Sequence, residues 1–265
     1  MDEDWTLALT IEGPKDAPVV VLGHSLGSSH VMWDDVVALL RERVRVIRYD
    51  LPGHGGSAVA PTQTPLDMGR LLEALGRSLD AVGVGSFHLA GLSLGGLVTL
   101  AGAEAWPDRV LTASVMSSGP VNLPSAVWTD KAALVRREGT GALVDATFER
   151  WFEPAFAAGE GRAKVARIRR AFLACAREGY AQCCEVLATT DTRSGLTDLA
   201  MPVLLVSAEG DAALPWDAAD DLAARIRSGA CEDVQVVRVP GARHMSAVEK
   251  PQLVAQALLG RIGLD

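Results

Sequence analysis

The sequence predicts an α/β protein: a mostly parallel sheet flanked by helices, with an inserted helical cap. Three observations predict it. Short aliphatic runs recur at 19–23, 44–50, 87–91, 111–117, 203–208 and 234–239. Most are near-continuously apolar rather than alternating, the pattern of strands covered on both faces and therefore parallel. Helical 3.6-residue periodicity fills most of the intervals, but between about Asn122 and Thr197 no strand pattern occurs. A sheet that stops at 117 and resumes at 203 has a helical insertion in between. The expected division is a core of residues 1–121 and 198–265 with a cap of 122–197.

In chain order, Trp5 to Ile11 alternates apolar and polar residues, which suits an antiparallel edge strand. Val19 to Gly23 and Val44 to Asp50 read as buried strands. A helix follows from Thr64, a candidate N-cap with Pro65 at the first helical position. Its apolar stripe is Met68, Leu71, Leu72, Leu75, Leu79 and Val82, and Gly83 stops it. Phe87 to Gly91 is the next strand, and a helix from Ser93 to Trp106-Pro107 follows it directly. After the strand Leu111 to Ser117 comes the cap, with helical stretches at Ala142–Phe152 and Lys164–Tyr180. Trp128, Trp151, Phe152 and Phe156 read mainly as cap core; Trp128 is also a candidate substrate contact. Val203 to Ala208 and Val234 to Val239 complete the sheet. A last helix follows Pro251 and carries Leu253, Val254, Ala257 and Leu258.

Composition excludes several function classes. The chain has 265 residues, 25 Lys and Arg against 33 Asp and Glu, and a net charge of −8. That balance argues against a nucleic-acid face or a polybasic membrane anchor. No apolar run approaches the ~20 residues of a spanning helix. Met1-Asp2-Glu3-Asp4 is acidic where a secretory signal would be basic. Cys175, Cys183, Cys184 and Cys231 have neither zinc spacing nor a Cys-x-x-Cys pair, so reduced thiols in a cytoplasmic protein are expected. Gly53-His54-Gly55-Gly56 lacks the lysine of a phosphate loop, and no metal or dinucleotide motif occurs. No metal and no cofactor is expected.

The sharpest chemical signal is Gly91-Leu92-Ser93-Leu94-Gly95-Gly96, lying between a strand and a helix. A nucleophile presented on so sharp a turn needs small residues two before and two after it, where strand and helix pass closely. The helix N-terminus adds free N–H groups and a partial positive charge beside the hydroxyl. A serine needs a base. Among five histidines, His88 lies within a strand, and His30 begins a helix. His24 and His54 sit in glycine-bearing loops where they could shape a pocket, and His24 is kept as a candidate substrate contact. His244 follows the last strand, at the carboxyl edge of the sheet where Ser93 also lies, and is the expected base. The acid should fall between them in the chain. Asp211 is favoured, since Gly210 suits a turn aiming it inward; Glu209 and Asp217 compete. Oxyanion donors are expected from the backbone N–H of Leu94, and of Leu26 in Gly23-His24-Ser25-Leu26-Gly27. The basic stretch Arg162 to Arg170, with Arg136, Arg137 and Arg150, is either a solvated face or an attractor of anionic substrate.

These residues resemble the α/β-hydrolase superfamily along nearly the whole chain. More narrowly, the sequence is similar to the 3-oxoadipate enol-lactonases of the β-ketoadipate pathway of aromatic-compound catabolism. The likeness runs through His24-Ser25-Leu26-Gly27 with Met32-Trp33, Val46 to Asp50, Gly91 to Gly96, Gly141 to Asp145, Glu149 to Phe152, and Gly179 to Cys184. The resemblance implies an α/β-hydrolase fold, Ser93, Asp211 and His244 as the catalytic triad, and a small lactone or ester as substrate. It departs at Leu51-Pro52, where the family usually has Thr-Arg, and at His24, where it usually has Asn. Leu51-Pro52 is common in other esterases and in cofactor-free haloperoxidase-like relatives, so an esterase or lactonase of secondary metabolism is the alternative. A ligand receptor retaining the fold is a third class, since fold alone does not fix function.

Overall fold

A computed structural model describes residues 5–121 and 124–264. The acidic Met1–Asp4 segment and the start of the expected cap at Asn122-Leu123 lie outside the described residues. Seven strands form one sheet: β1 (Leu9–Glu12), β2 (Val19–Gly23), β3 (Arg45–Tyr49), β4 (Phe87–Leu92), β5 (Val110–Met116), β6 (Val203–Ala208) and β7 (Val234–Val239). Their order is β1-β3-β2-β4-β5-β6-β7. Only β1 runs antiparallel, pairing Ile11 with Ile47. It is the edge strand read in the sequence, shifted a few residues toward the C-terminus. Strands β2 to β6 are buried nearly throughout and mainly apolar, the buried Arg48 of β3 being paired with Asp34 and Glu12.

Helices cover the sheet on both faces. The first, α1 (Asp34–Leu40), packs on the last, α11 (Pro251–Arg261), which lies against β5 and β6. Across the sheet α2 (Met68–Ala81) packs on α3 (Leu94–Ala105), which lies against β2, β4 and β5. The start of α2 differs from the sequence expectation. Asp67, not Thr64, is the N-cap: it is extended, and its side chain accepts from the Arg70 N–H at 2.8 Å. A carboxylate suits that position better than a hydroxyl because it also complements the helix dipole.

Between β5 and β6 stand five helices: α4 (Ser125–Glu138), α5 (Val144–Trp151), α6 (Pro154–Ala158), α7 (Arg162–Ala174) and α8 (Arg177–Thr189). The single helix expected over 164–180 is two. The chain turns extended at Cys175 and Ala176, and the Ala176 N–H leaves the helix to donate to Gly53 O at 2.9 Å. Phe148, Trp151, Phe152, Phe172 and Tyr180 form the aromatic core here, with ring centroids 5.2 to 6.3 Å apart. Beyond β6, α9 (Trp216–Arg227) packs on β6 and β7, and the short α10 (Ser246–Glu249) leads into α11. Among the described residues no helix is long and apolar enough to cross a membrane.

Parallel strands fix where a site can form. The carboxyl ends of β2, β3, β4, β5, β6 and β7 share one edge, so the loops after them converge there.

Candidate active site

Ser93 stands between β4 and α3 with φ 61° and ψ −118°, a region that residues with a side chain rarely occupy. The turn is this tight because two chains cross at it. A methyl group on Gly91 would sit 2.1 Å from Gly95 O, and one on Gly95 would sit 2.3 Å from Gly23 O. Both neighbours are backbone and cannot swing away. Gly95→Ala should therefore cost about 3 kcal/mol, toward the upper end of overpacking penalties. Gly85→Ala, where a methyl meets nothing within 4 Å, should cost under about 1 kcal/mol. Urea unfolding of the two variants beside the parent checks the contrast. Further hydrogen bonds pin the turn: Ser93 N–H donates to Met116 O at 2.9 Å, and Gly95 N–H to His24 O at 3.2 Å.

His244 lies between β7 and α10, at the same edge. Its Nδ1 is 3.0 Å from Asp211 Oδ1. An ionised carboxylate only accepts, so Nδ1–H donates and Nε2 is left with a free lone pair. Asp211 is 5% exposed and also accepts the Ala213 N–H at 2.9 Å. Burial opposes its ionisation. The charge of His244 and its hydrogen bond, the Ala213 N–H and the Ser117 hydroxyl together outweigh burial and hold the carboxyl below its ordinary value. Ser117, just past β5, is the second non-glycine residue at positive φ, 50°. No sequence motif marked it.

The competing acids are occupied elsewhere. Glu209 accepts the exposed Gly241 N–H at 2.9 Å, and Asp217 sits in the first turn of α9 beside its own Ala218 N–H. The other histidines are likewise accounted for. His88 pairs with Thr112 Oγ1 at 3.0 Å, and His30 with Asp50 Oδ2 at 2.9 Å.

The loop carrying His244 is clamped to the helical segment between β5 and β6. Trp151 stacks on the imidazole at a centroid distance of 6.4 Å, and its carbonyl accepts the Met245 N–H. Glu249, 5% exposed, takes the Arg243 N–H on one oxygen and the Glu153 N–H on the other, both at 2.7 Å. One carboxylate thus ties the loop to the start of α6. Neither Trp151 nor Glu249 was marked as a site residue by the sequence. The aromatic run reads as core, and only the fold brings 249 to 153.

The backbone N–H groups of Leu26 and Leu94 have no acceptor among the described residues. Leu94 is the first residue of α3, where an N–H has no partner within the helix. Leu26 lies in the 25–28 turn closed by Ser28 N–H to Ser25 O at 2.9 Å. Both residues are buried, and the loop that carries Leu26 meets the serine turn through the Gly95 N–H bond to His24 O. Trp128 in α4 is half-buried, with Lys131 Nζ 4.2 Å over its ring and its own N–H unpaired among the described residues.

His24 is a correction. Its ring is wholly buried; Nδ1–H donates to Ser25 O at 2.8 Å and Nε2 accepts the Leu51 N–H at 2.9 Å. Both nitrogens serve the protein, so no polar atom remains for a substrate. His54 is equally buried. Burial is the largest cause of its pKa falling to about 3, His24 lowers it further, and Pro52 O and Asp50 act the other way. His24 is lowered by burial as well. Unfolded imidazoles titrate near 6.5, so between pH 6.5 and about 3 the unfolded chain binds more protons and stability rises with pH. Stability should fall as pH drops through this window, by about 1.4 kcal/mol per pH unit for each imidazole kept neutral. Urea midpoints at pH 7.5, 6 and 5 measure it, and His54→Gln should flatten the slope.

The sequence model of the "Alpha/beta hydrolase family" matches residues 19–257. A 3-oxoadipate enol-lactonase of Acinetobacter baylyi is 30% identical over 260 residues, covering 96% of this chain and 92% of that protein. A solved enol-lactonase from Burkholderia xenovorans LB400 superposes with a TM-score of 0.89 at 30% identity, covering 97% of this chain and 96% of that one. A thermophilic esterase from Thermogutta terrifontis, solved with malate bound, gives 0.88 at 26% identity, covering 97% and 93%.

Proposed function

The chain belongs to the alpha/beta hydrolase family and is an ester hydrolase, and from that premise we propose that it opens an enol-lactone, that of 3-oxoadipate, through Ser93, His244 and Asp211. The observation that carries the mechanism is the His244–Asp211 pair at the sheet edge where Ser93 is held on its strained turn. The substrate reading rests on likeness to enol-lactonases that runs through the cap as well as the core.

Ser93 Oγ attacks the lactone carbonyl while His244 Nε2 takes its proton, and Asp211 holds the imidazolium without being protonated itself. The carbonyl oxygen becomes an oxyanion that accepts from the Leu26 and Leu94 N–H groups, each worth about 3 kcal/mol in the transition state. Collapse breaks the ring C–O bond. The departing enol oxygen receives the proton from His244 and the enol ketonises, leaving an acyl group on Ser93. Water then attacks the acyl carbon, gives its proton to His244, and Ser93 leaves with that proton as the acid 3-oxoadipate is released.

Residues 122–197 act in this reading as the cap over the site, with Trp128 lining it. In this reading the protein is cytoplasmic, which its four free, buried thiols suit, and its substrate is a small molecule rather than a nucleic acid or a membrane lipid. The test is incubation of pure protein with the enol-lactone, an aryl acetate and a methyl ester, with products read by mass spectrometry. The lactone is expected to open fastest. Turnover of the simple esters alone would replace this substrate with the esterase reading, which Leu51-Pro52 favours. Retention of a ligand without turnover would instead point to a receptor.

A further inference from the structure

Two buried imidazoles bind the loops after β2 and β3 to each other in a reciprocal way. His24, on the first loop, accepts the Leu51 N–H of the second at 2.9 Å. His54, on the second, accepts the Gly27 N–H of the first at 3.0 Å. Each ring donates its other N–H to a carbonyl of its own loop, Ser25 O and Pro52 O, both at 2.8 Å. The rings lie 5.3 Å apart, and neither is exposed. Each ring needs Nε2 as an acceptor, so the arrangement holds only while both are neutral.

We propose that His54 is the positioning residue of the oxyanion loop. This rests on the reading of Leu26 N–H as an oxyanion donor. Gly27 has φ +83°, so the peptides on either side of it are free to turn unless something fixes them. His54 Nε2 takes the Gly27 N–H, and the Cys175 thiol of the cap reaches Gly27 O at 3.6 Å from the other side. Phe172 closes the space beside the glycine, where a methyl group would meet its ring at 2.4 Å. Gly27 is thus held at both its N–H and its carbonyl, which fixes the peptide that follows Leu26, and in this proposal that restraint keeps the Leu26 N–H turned toward the serine. The loop bearing His54 is itself fastened to the cap, through Ala176 N–H to Gly53 O at 2.9 Å and Tyr180 stacked on the imidazole at 6.1 Å.

The test compares His54→Leu, His54→Gln and the parent on an aryl acetate, together with their affinity for a trifluoromethyl ketone, which forms an oxyanion on the serine. His54→Leu should lower kcat about 10²-fold, the scale of losing one oxyanion donor, with KM within about threefold. Ketone affinity should fall by the same factor. A glutamine places a carbonyl oxygen where Nε2 was and an N–H toward Pro52, so His54→Gln should recover kcat to within about tenfold of the parent. Should the leucine variant fail to fold, His54→Asn serves in its place: too short to reach Gly27, it should show the same loss. A parent that hydrolyses the ester, beside a leucine or asparagine variant that keeps both kcat and ketone affinity, overturns the positioning role and leaves the hydrolase reading standing. A parent that neither turns over the ester nor binds the ketone overturns that reading and this one together.

Discussion

Ser93→Ala should remove on the order of 10⁵-fold or more of kcat, and Ser93→Gly should do the same while making the protein more stable. The first effect follows from losing the proposed nucleophile: what would survive is the contribution of binding and the proposed oxyanion donors alone. The second follows from the backbone. Ser93 sits at φ 61° and ψ −118°, where a side chain costs about 1 to 3 kcal/mol and glycine does not. The strain persists because Gly91, Gly95 and Gly23 leave the chain no other path. Part of the gain is offset by the extra freedom of glycine in the unfolded chain, so a rise of about 1 kcal/mol is expected. Urea unfolding of parent, alanine and glycine variants measures it, and a fluorophosphonate should label only the parent. A glycine variant less stable than the parent would mean that the turn is not strained. Labelling that survives Ser93→Ala would mean that another nucleophile carries the activity.

The parts of this architecture that were legible in the sequence are those that physics writes locally. A buried parallel strand must be apolar throughout, and a strand passing directly into a helix around a presented serine must carry glycines at fixed offsets. Those constraints make β2, β4, β5, β6 and the Gly91–Gly96 turn visible. The start of α2 was misplaced because Thr64-Pro65 and Asp67 are both sound caps, and tertiary packing rather than propensity chose between them. The break at Cys175-Ala176 carries no glycine or proline. It exists because Ala176 N–H donates to a loop more than a hundred residues earlier, a contact that periodicity does not encode. The pairing of His24 with His54 is hidden for the same reason. A histidine in a glycine loop after a strand looks like a pocket residue until its partner is known, and here each one's partner lies on the other's loop. The cap contacts of His244 were hidden too, because Trp151 is read as core by composition alone, and it is core as well as a support for the imidazole.

Asp211→Asn should lower kcat about 10⁴-fold while leaving the fold intact, and Glu209→Gln and Asp217→Asn should each cost less than about threefold. The effect turns on one proton. With Asp211 ionised, the 3.0 Å contact to Nδ1 is satisfied only if Nδ1 carries the hydrogen, which leaves Nε2 able to accept from Ser93. An asparagine is free to present its NH₂ instead. The imidazole then places its hydrogen on Nε2, the wrong nitrogen for a base, and the positive charge formed on proton transfer loses its carboxylate. The change is nearly isosteric, and Ala213 N–H still finds a carbonyl oxygen if the amide turns its oxygen that way, so packing is preserved. Stability carries a smaller signature. Asp211 is held below its ordinary value of 3.8, so it stabilises the fold above that pH, and its contribution disappears as pH falls through the lower folded value. The asparagine variant should therefore be less stable than the parent at pH 7, and the gap should narrow toward pH 3. Steady-state kinetics of the three variants with urea unfolding at both pH values tests the assignment. A Glu209→Gln variant crippled beside an active Asp211→Asn would move the acid to 209, although that side chain holds the exposed Gly241 N–H rather than the imidazole.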